Sequence, residues 1–156
     1  MKVFTVKKEM EEELSNKSKE EVSSVKLCDK KEFNYIVIEN PSDSNEICTI
    51  RNIKILSKDK NTQLCLMQGE EDRIKSSEEI NITNKVGILN IQGGLKKCPD
   101  DEKIELSRDR ILQNEECNIL KDSVLIMLPK GCLFIKLDNE VYNLNIDINW
   151  TSEKIM

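Results

Sequence analysis

The stretch that decides the fold is Tyr142-Asn143-Leu144-Asn145-Ile146-Asp147-Ile148-Asn149-Trp150, in which apolar and polar residues alternate without a break. Successive side chains of a strand point to opposite faces, so this period of two predicts a strand with one buried face. Leu133, Ile135 and Leu137 alternate in the same way just before it. A two-residue turn at Asp138-Asn139 would pair Leu137 with Glu140, Ile135 with Tyr142 and Leu133 with Leu144, bringing both apolar sets onto one face. Further back, Val124-Leu125-Ile126-Met127-Leu128 is continuously apolar and stops at Pro129-Lys130-Gly131. That is the pattern of a central strand covered on both sides, and residues 123 to 148 are predicted to form a three-stranded meander.

The same texture extends upstream to Glu32, with strands predicted at 33–39, 47–56, 62–68, 79–83, 86–92 and 103–106. Each break has a chemical reason. Asn40-Pro41-Ser42-Asp43 combines a fixed φ with side chains that bond nearby backbone, while Lys58-Asp59-Lys60-Asn61 and Thr83-Asn84-Lys85 are polar turns. Gly93-Gly94 permits positive φ and reads as a strand exit. Ser107 to Leu120 fits either a short helix capped by Ser107 or two short strands about Gln113-Asn114, and the strands are preferred. Val3-Phe4-Thr5-Val6 reads as a strand, whereas Val6, Met10 and Leu14 recur at helical spacing.

Many short strands must close or double over to protect their edges, so the expectation is mainly β: a β-sandwich or jelly-roll-like barrel of about eight to ten short strands, with room for a short N-terminal helix. The divisions read from the pattern are an N-terminal segment (1–31), a β domain (32–150) and a C-terminal tail (151–156). Neither the His-bearing metal motif of cupin-like jelly rolls nor the long acidic tract of nucleoplasmin-like ones is present.

A chain of 156 residues is the size of one domain and can bury a core without staples. No apolar run approaches the ~18 residues of a membrane span, and the first residues lack the apolar stretch of a signal peptide. An intracellular location, cytoplasmic or nuclear, is the expectation. The six cysteines include no Cys-x-x-Cys pair. Cys28, Cys48, Cys65 and Cys132 lie beside Leu or Ile and read as small buried hydrophobes, while Cys98 and Cys117 stand in polar surroundings. All six are expected to stay reduced.

The net charge of −5 arises entirely after Cys98, where seven basic residues face twelve acidic ones. No cluster of more than two Lys or Arg occurs, which disfavours nucleic acid as a partner. The absence of histidine removes the commonest general base and metal ligand. The glycines match neither a phosphate loop nor a dinucleotide fingerprint, and Pro99-Asp100-Asp101-Glu102 lacks the spacing of a Ca²⁺ loop. No catalytic, cofactor or metal site is therefore assigned.

One feature rises above this background. In the Asp138-Asn139 register, Phe134 projects away from the core beside Cys132 and across from Asn143, with Lys136 opposite Val141. Phe134, Cys132, Lys136 and Val141 are thus the candidate protein contact, unless a second layer covers them. The leading functional expectation is a non-catalytic protein–protein interaction or assembly module acting through a sheet face, an edge or a homo-oligomer interface, with a protein partner or self-association and no membrane. A second is an acidic chaperone for basic proteins such as histones. A third is a histidine-independent enzyme using carboxylates or a cysteine.

Overall fold

The computed structural model describes residues 2–7, 21–70, 79–95 and 104–155. The chain is mainly β, and among the described residues ten antiparallel strands join in one hydrogen-bonded network. They are β1 (Val3–Lys7), β2 (Glu21–Glu39), β3 (Glu46–Ser57), β4 (Thr62–Glu70), β5 (Glu79–Val86), β6 (Leu89–Leu95), β7 (Ile104–Ile111), β8 (Cys117–Asn118), β9 (Ser123–Met127) and β10 (Gly131–Lys154). Their order is β1-β9-β3-β10-β2-β6-β5, with β4 on β10, β7 outside β4, and β8 on β3. No helix occurs among the described residues, so none there is long and apolar enough to cross a membrane. The helical reading of Lys7 to Glu20 falls, from residue 8 on, outside the described residues. Strand pairing runs past the 32–150 limits at both ends, because β2 begins at Glu21 and β10 ends at Lys154.

The centre of the fold corrects the predicted meander. Residues 131–154 form one continuous strand, not a hairpin, and β9 pairs with β1 and β3 rather than with β10. The favoured two-residue hairpin turns require positive φ. Among the described non-glycine residues, only Asn45, Asn114, Lys121 and Lys130 have it, so Asp138 and Asn139 do not turn the chain. Instead β10 passes through a register irregularity against β2 between Lys136 and Asn143. The amides freed there find partners in the β3–β4 turn. Asn139 N donates to Thr62 Oγ1 at 3.2 Å, and the Asp59 carboxylate accepts from Tyr142 N at 3.2 Å and Asn143 N at 3.3 Å. Buried backbone groups must be paired somewhere, and this turn supplies what the ladder drops.

The irregularity also switches which positions face inward. Leu133, Ile135, Leu137 and Val141 point into the main core at odd positions, then Leu144, Ile146, Ile148 and Trp150 at even ones. On one side both halves of β10 pair with β2; on the other, the first half pairs with β4 and the second with β3. A similar shift falls in β3, where Cys48 and Ile50 are buried before Arg51, and Ile53 and Ile55 after it. Fully buried Ile and Leu side chains contribute about 1.5–3 kcal/mol each, and Phe33, Leu27, Ile36 and Ile38 of β2 join the β10 residues in this core.

Two predicted breaks move. Thr83-Asn84-Lys85 lies within β5, and the turn falls at Gly87-Ile88, where Gly87 has φ +57°. Gly93 and Gly94 lie inside β6 beside a register shift against β5, not at its exit. Glycine in a strand marks such a shift or a close backbone approach. The strand reading of Ser107 to Leu120 holds, with β7 and β8 separated by a turn in which Asn114 takes φ 63°.

Candidate functional site

The sequence-predicted contact residues separate into two places. Phe134 and Cys132 do face away from the main core, but they are fully buried in a second cluster with Tyr35, Val37 and Met67. The Phe134 ring stacks on Tyr35 with centroids 5.9 Å apart. Lys136 sits beside this cluster, between Tyr35 on β2 and Cys65 on β4. Val141 belongs to the main core opposite Phe33, on the other side of the sheet. The expected neighbours Lys136–Val141 and Phe134–Asn143 do not exist, because they required the absent hairpin; Phe134 pairs with Val37 and Met67 instead. Phe134 is thus fully buried and presents no surface for contact.

Beside this cluster, Gln63, Leu64, Cys65, Arg108, Asp109, Arg110 and Asp138 line a cleft of about 230 Å³ between β4 and β7. Its chemistry is quiet. The Cys65 thiol donates to Glu105 Oε1 at 3.2 Å. Burial, and then this bond to a carboxylate, push its pKa up to about 11, the opposite of what a nucleophilic thiolate needs. Glu105, held below the usual carboxylate range by the Cys65 thiol and by Arg108, is ion-paired with Arg108. Asp109 pairs with Lys121 at 2.8 Å and Glu116 with Lys54 at 3.8 Å. These acids are offset by basic neighbours, and among the described residues no group of three or more His, Cys, Asp or Glu is placed to hold a metal ion. No known family, curated protein or solved structure matches this chain.

The surface that stands out is one the sequence did not single out. β1, β9, β3 and the end of β10 lie side by side, and their registers align two rows of outward side chains. The first is Phe4–Ile126–Thr49–Thr151. Phe4 is 41% exposed, Ile126 and Thr49 are half-buried, and Thr151 is buried; its Oγ1 accepts from Arg51 Nη1 at 2.8 Å. The second row begins at Lys2, whose carbonyl accepts from Leu128 N at 2.8 Å. It continues in the same register through Leu128 and Ile47 to Glu153, which pairs with Ile47. Their neighbours Val3, Met127 and Cys48 fill the core, so alternation turns Lys2, Leu128 and Ile47 outward. An apolar strip therefore runs between a lysine at one end and a glutamate at the other.

The cysteines follow the sheet faces. Cys48 and Cys132 are buried as expected, Cys65 and Cys117 are half-buried, and Cys28 is exposed, contrary to the sequence reading. Cys28 follows core-facing Leu27, so alternation itself points it outward. Cys98 lies outside the described residues.

Proposed function

We propose that this chain is a non-catalytic assembly module that self-associates through the outer face of β1, β9, β3 and the end of β10. The observation that carries the reading is Phe4, a large aromatic 41% exposed on a β face, in line with the half-buried Ile126 and Thr49. A phenylalanine offers roughly 200 Å² to burial. Covering the exposed share of Phe4 would contribute about 2 kcal/mol per copy at about 25 cal/mol/Å², and the flanking Ile126, Leu128 and Ile47 would add to it. The unreactive Cys65 and the charge-paired acids beside it support a contact role over catalysis.

Sedimentation equilibrium across a concentration series tests this. The wild-type chain is expected to form a defined oligomer, and Phe4→Asp, at an exposed position, to remain folded but shift to the monomer. A wild-type chain that stays monomeric at every concentration would overturn the reading.

A further inference from the structure

The charges flanking the apolar strip say how two copies would meet. In the row Lys2–Leu128–Ile47–Glu153, the lysine stands just before β1, its carbonyl bonded by Leu128 N, and the glutamate on β10 opposite Ile47, at opposite ends of four adjacent strands. Neighbouring strands are spaced about 4.8 Å apart, so the two backbones lie about 14 Å from each other. Their midpoint falls over the seam between β9 and β3.

Resting on the assembly reading, we infer that the second copy docks face to face about a two-fold axis running along that seam, parallel to the strands. Such an axis exchanges the β1 and β10 sides of the face. It sets Lys2 against Glu153 of the second copy, and Glu153 against the second copy's Lys2. Between these symmetric pairs it lays Ile126 of β9 and Leu128 just after it over Thr49 and Ile47 of the other copy's β3, while Phe4 meets the Arg51 that is bonded to Thr151. An isologous contact needs a patch that complements itself under its own symmetry operation, and a row that is basic at one end, apolar in the middle and acidic at the other meets that requirement. The axis also keeps the strands of the two faces aligned, the arrangement in which twisted sheets pack face to face within about 30° of one another. The opposite choice, an axis across the strands, would set lysine over lysine and glutamate over glutamate, since it leaves each strand facing its own copy. Like-charge juxtaposition of that kind is how wrong registers are rejected.

The test is charge reversal with rescue, read by sedimentation velocity of the full chain. Glu153→Lys and Lys2→Glu should each weaken dimerisation by about tenfold or more at low salt, since each turns two attractive pairs into repulsive ones. The double variant Lys2→Glu/Glu153→Lys should recover the wild-type dimer. If single reversals leave a Phe4-dependent dimer unchanged, or if the double variant is as weak as the singles, this axis is wrong while the assembly reading stands. A wild-type monomer at every concentration would remove both.

Discussion

Replacing Asn40 by alanine should cost the fold about 3–5 kcal/mol, an effect out of proportion to one side chain in a turn. Asn40 is fully buried. Its Nδ2 donates to the carbonyls of Glu46 and Met127, each at 2.9 Å, and its Oδ1 accepts from Ser44 Oγ at 2.6 Å. Its backbone bonds Gly131 O at 3.0 Å and Lys130 N at 2.8 Å. One residue therefore ties the end of β2 to the start of β3, the end of β9 and the start of β10. A net hydrogen bond contributes about 1 kcal/mol, and a buried carbonyl left without a donor costs about 1–3 kcal/mol more. Alanine removes three side-chain bonds at a buried site, about 3 kcal/mol, and leaves polar partners there short of a donor or acceptor, which gives the stated range. Asn40→Asp should be at least as harmful at neutral pH, since an ionised oxygen would then face two carbonyl oxygens. Ser44→Ala, losing the bond to Asn40 Oδ1 and the one accepted from Glu46 N at a half-buried position, should cost about 1–2 kcal/mol. Urea denaturation of the three variants is the assay. An Asn40→Ala loss below about 1 kcal/mol would refute the clamp.

Other perturbations follow from the same packing. Phe134→Ala and Leu144→Ala should destabilise by about 3–5 and 2–5 kcal/mol in denaturant melts, since each empties a fully buried site on a different face of β10; a neutral Phe134→Ala would contradict that burial. Gly87→Ala should destabilise by about 1–3 kcal/mol and shift Trp150 fluorescence. An added Cβ would stand 2.2 Å from the indole at φ +57°, so an unchanged spectrum and midpoint would contradict that contact. Site-resolved alkylation of native protein should label Cys28 first, with Cys48 and Cys132 protected until unfolding. Burial pushes the Cys48 pKa from 9.0 up to about 12, so its contribution is intact below pH 9. Stability is then lost as pH rises toward 12, because the unfolded chain ionises first. Cys48→Ala should flatten that part of the stability curve; an identical pH dependence in the variant would contradict the burial.

Local chemistry made most strands legible. Alternation and turn residues fix 47–56 and 62–68 to within a few residues, because a half-buried strand records its pleat in the sequence, whereas 33–39 matches only the C-terminal part of β2, which begins at Glu21. The centre of β10 was not legible for a specific reason. A two-residue hairpin and a register irregularity produce the same switch from odd to even core positions. Leu133, Ile135 and Leu137 therefore share a core with Leu144, Ile146 and Ile148 under either geometry. What decides between them is Asp59 and Thr62, whose bonds to the 139–143 backbone exist only in the folded chain. Turn chemistry predicts the bonds of Asn40 to Ser44 and Glu46, but not the one to Met127, which lies at the far end of another strand. The same limit hid the contact face. Val3-Phe4-Thr5-Val6 gives a strand, but only its pairing with β9 shows that Phe4 is the side left uncovered. Cys28 was within reach, since alternation from Leu27 already placed it outside.

The most direct test of face-to-face assembly is zero-length carbodiimide cross-linking of an equimolar mixture of unlabelled and ¹⁵N-labelled chains, followed by peptide mass spectrometry. The backbones of Lys2 and Glu153 of one chain lie about 14 Å apart by strand spacing, and the isotope pairing tells a bond within one chain from a bond between two. The account predicts a Lys2–Glu153 cross-link carrying one light and one heavy peptide, lost in Phe4→Asp. A Lys2–Glu153 product found only between peptides of the same isotope, or none at concentrations where the chain is oligomeric, would contradict it.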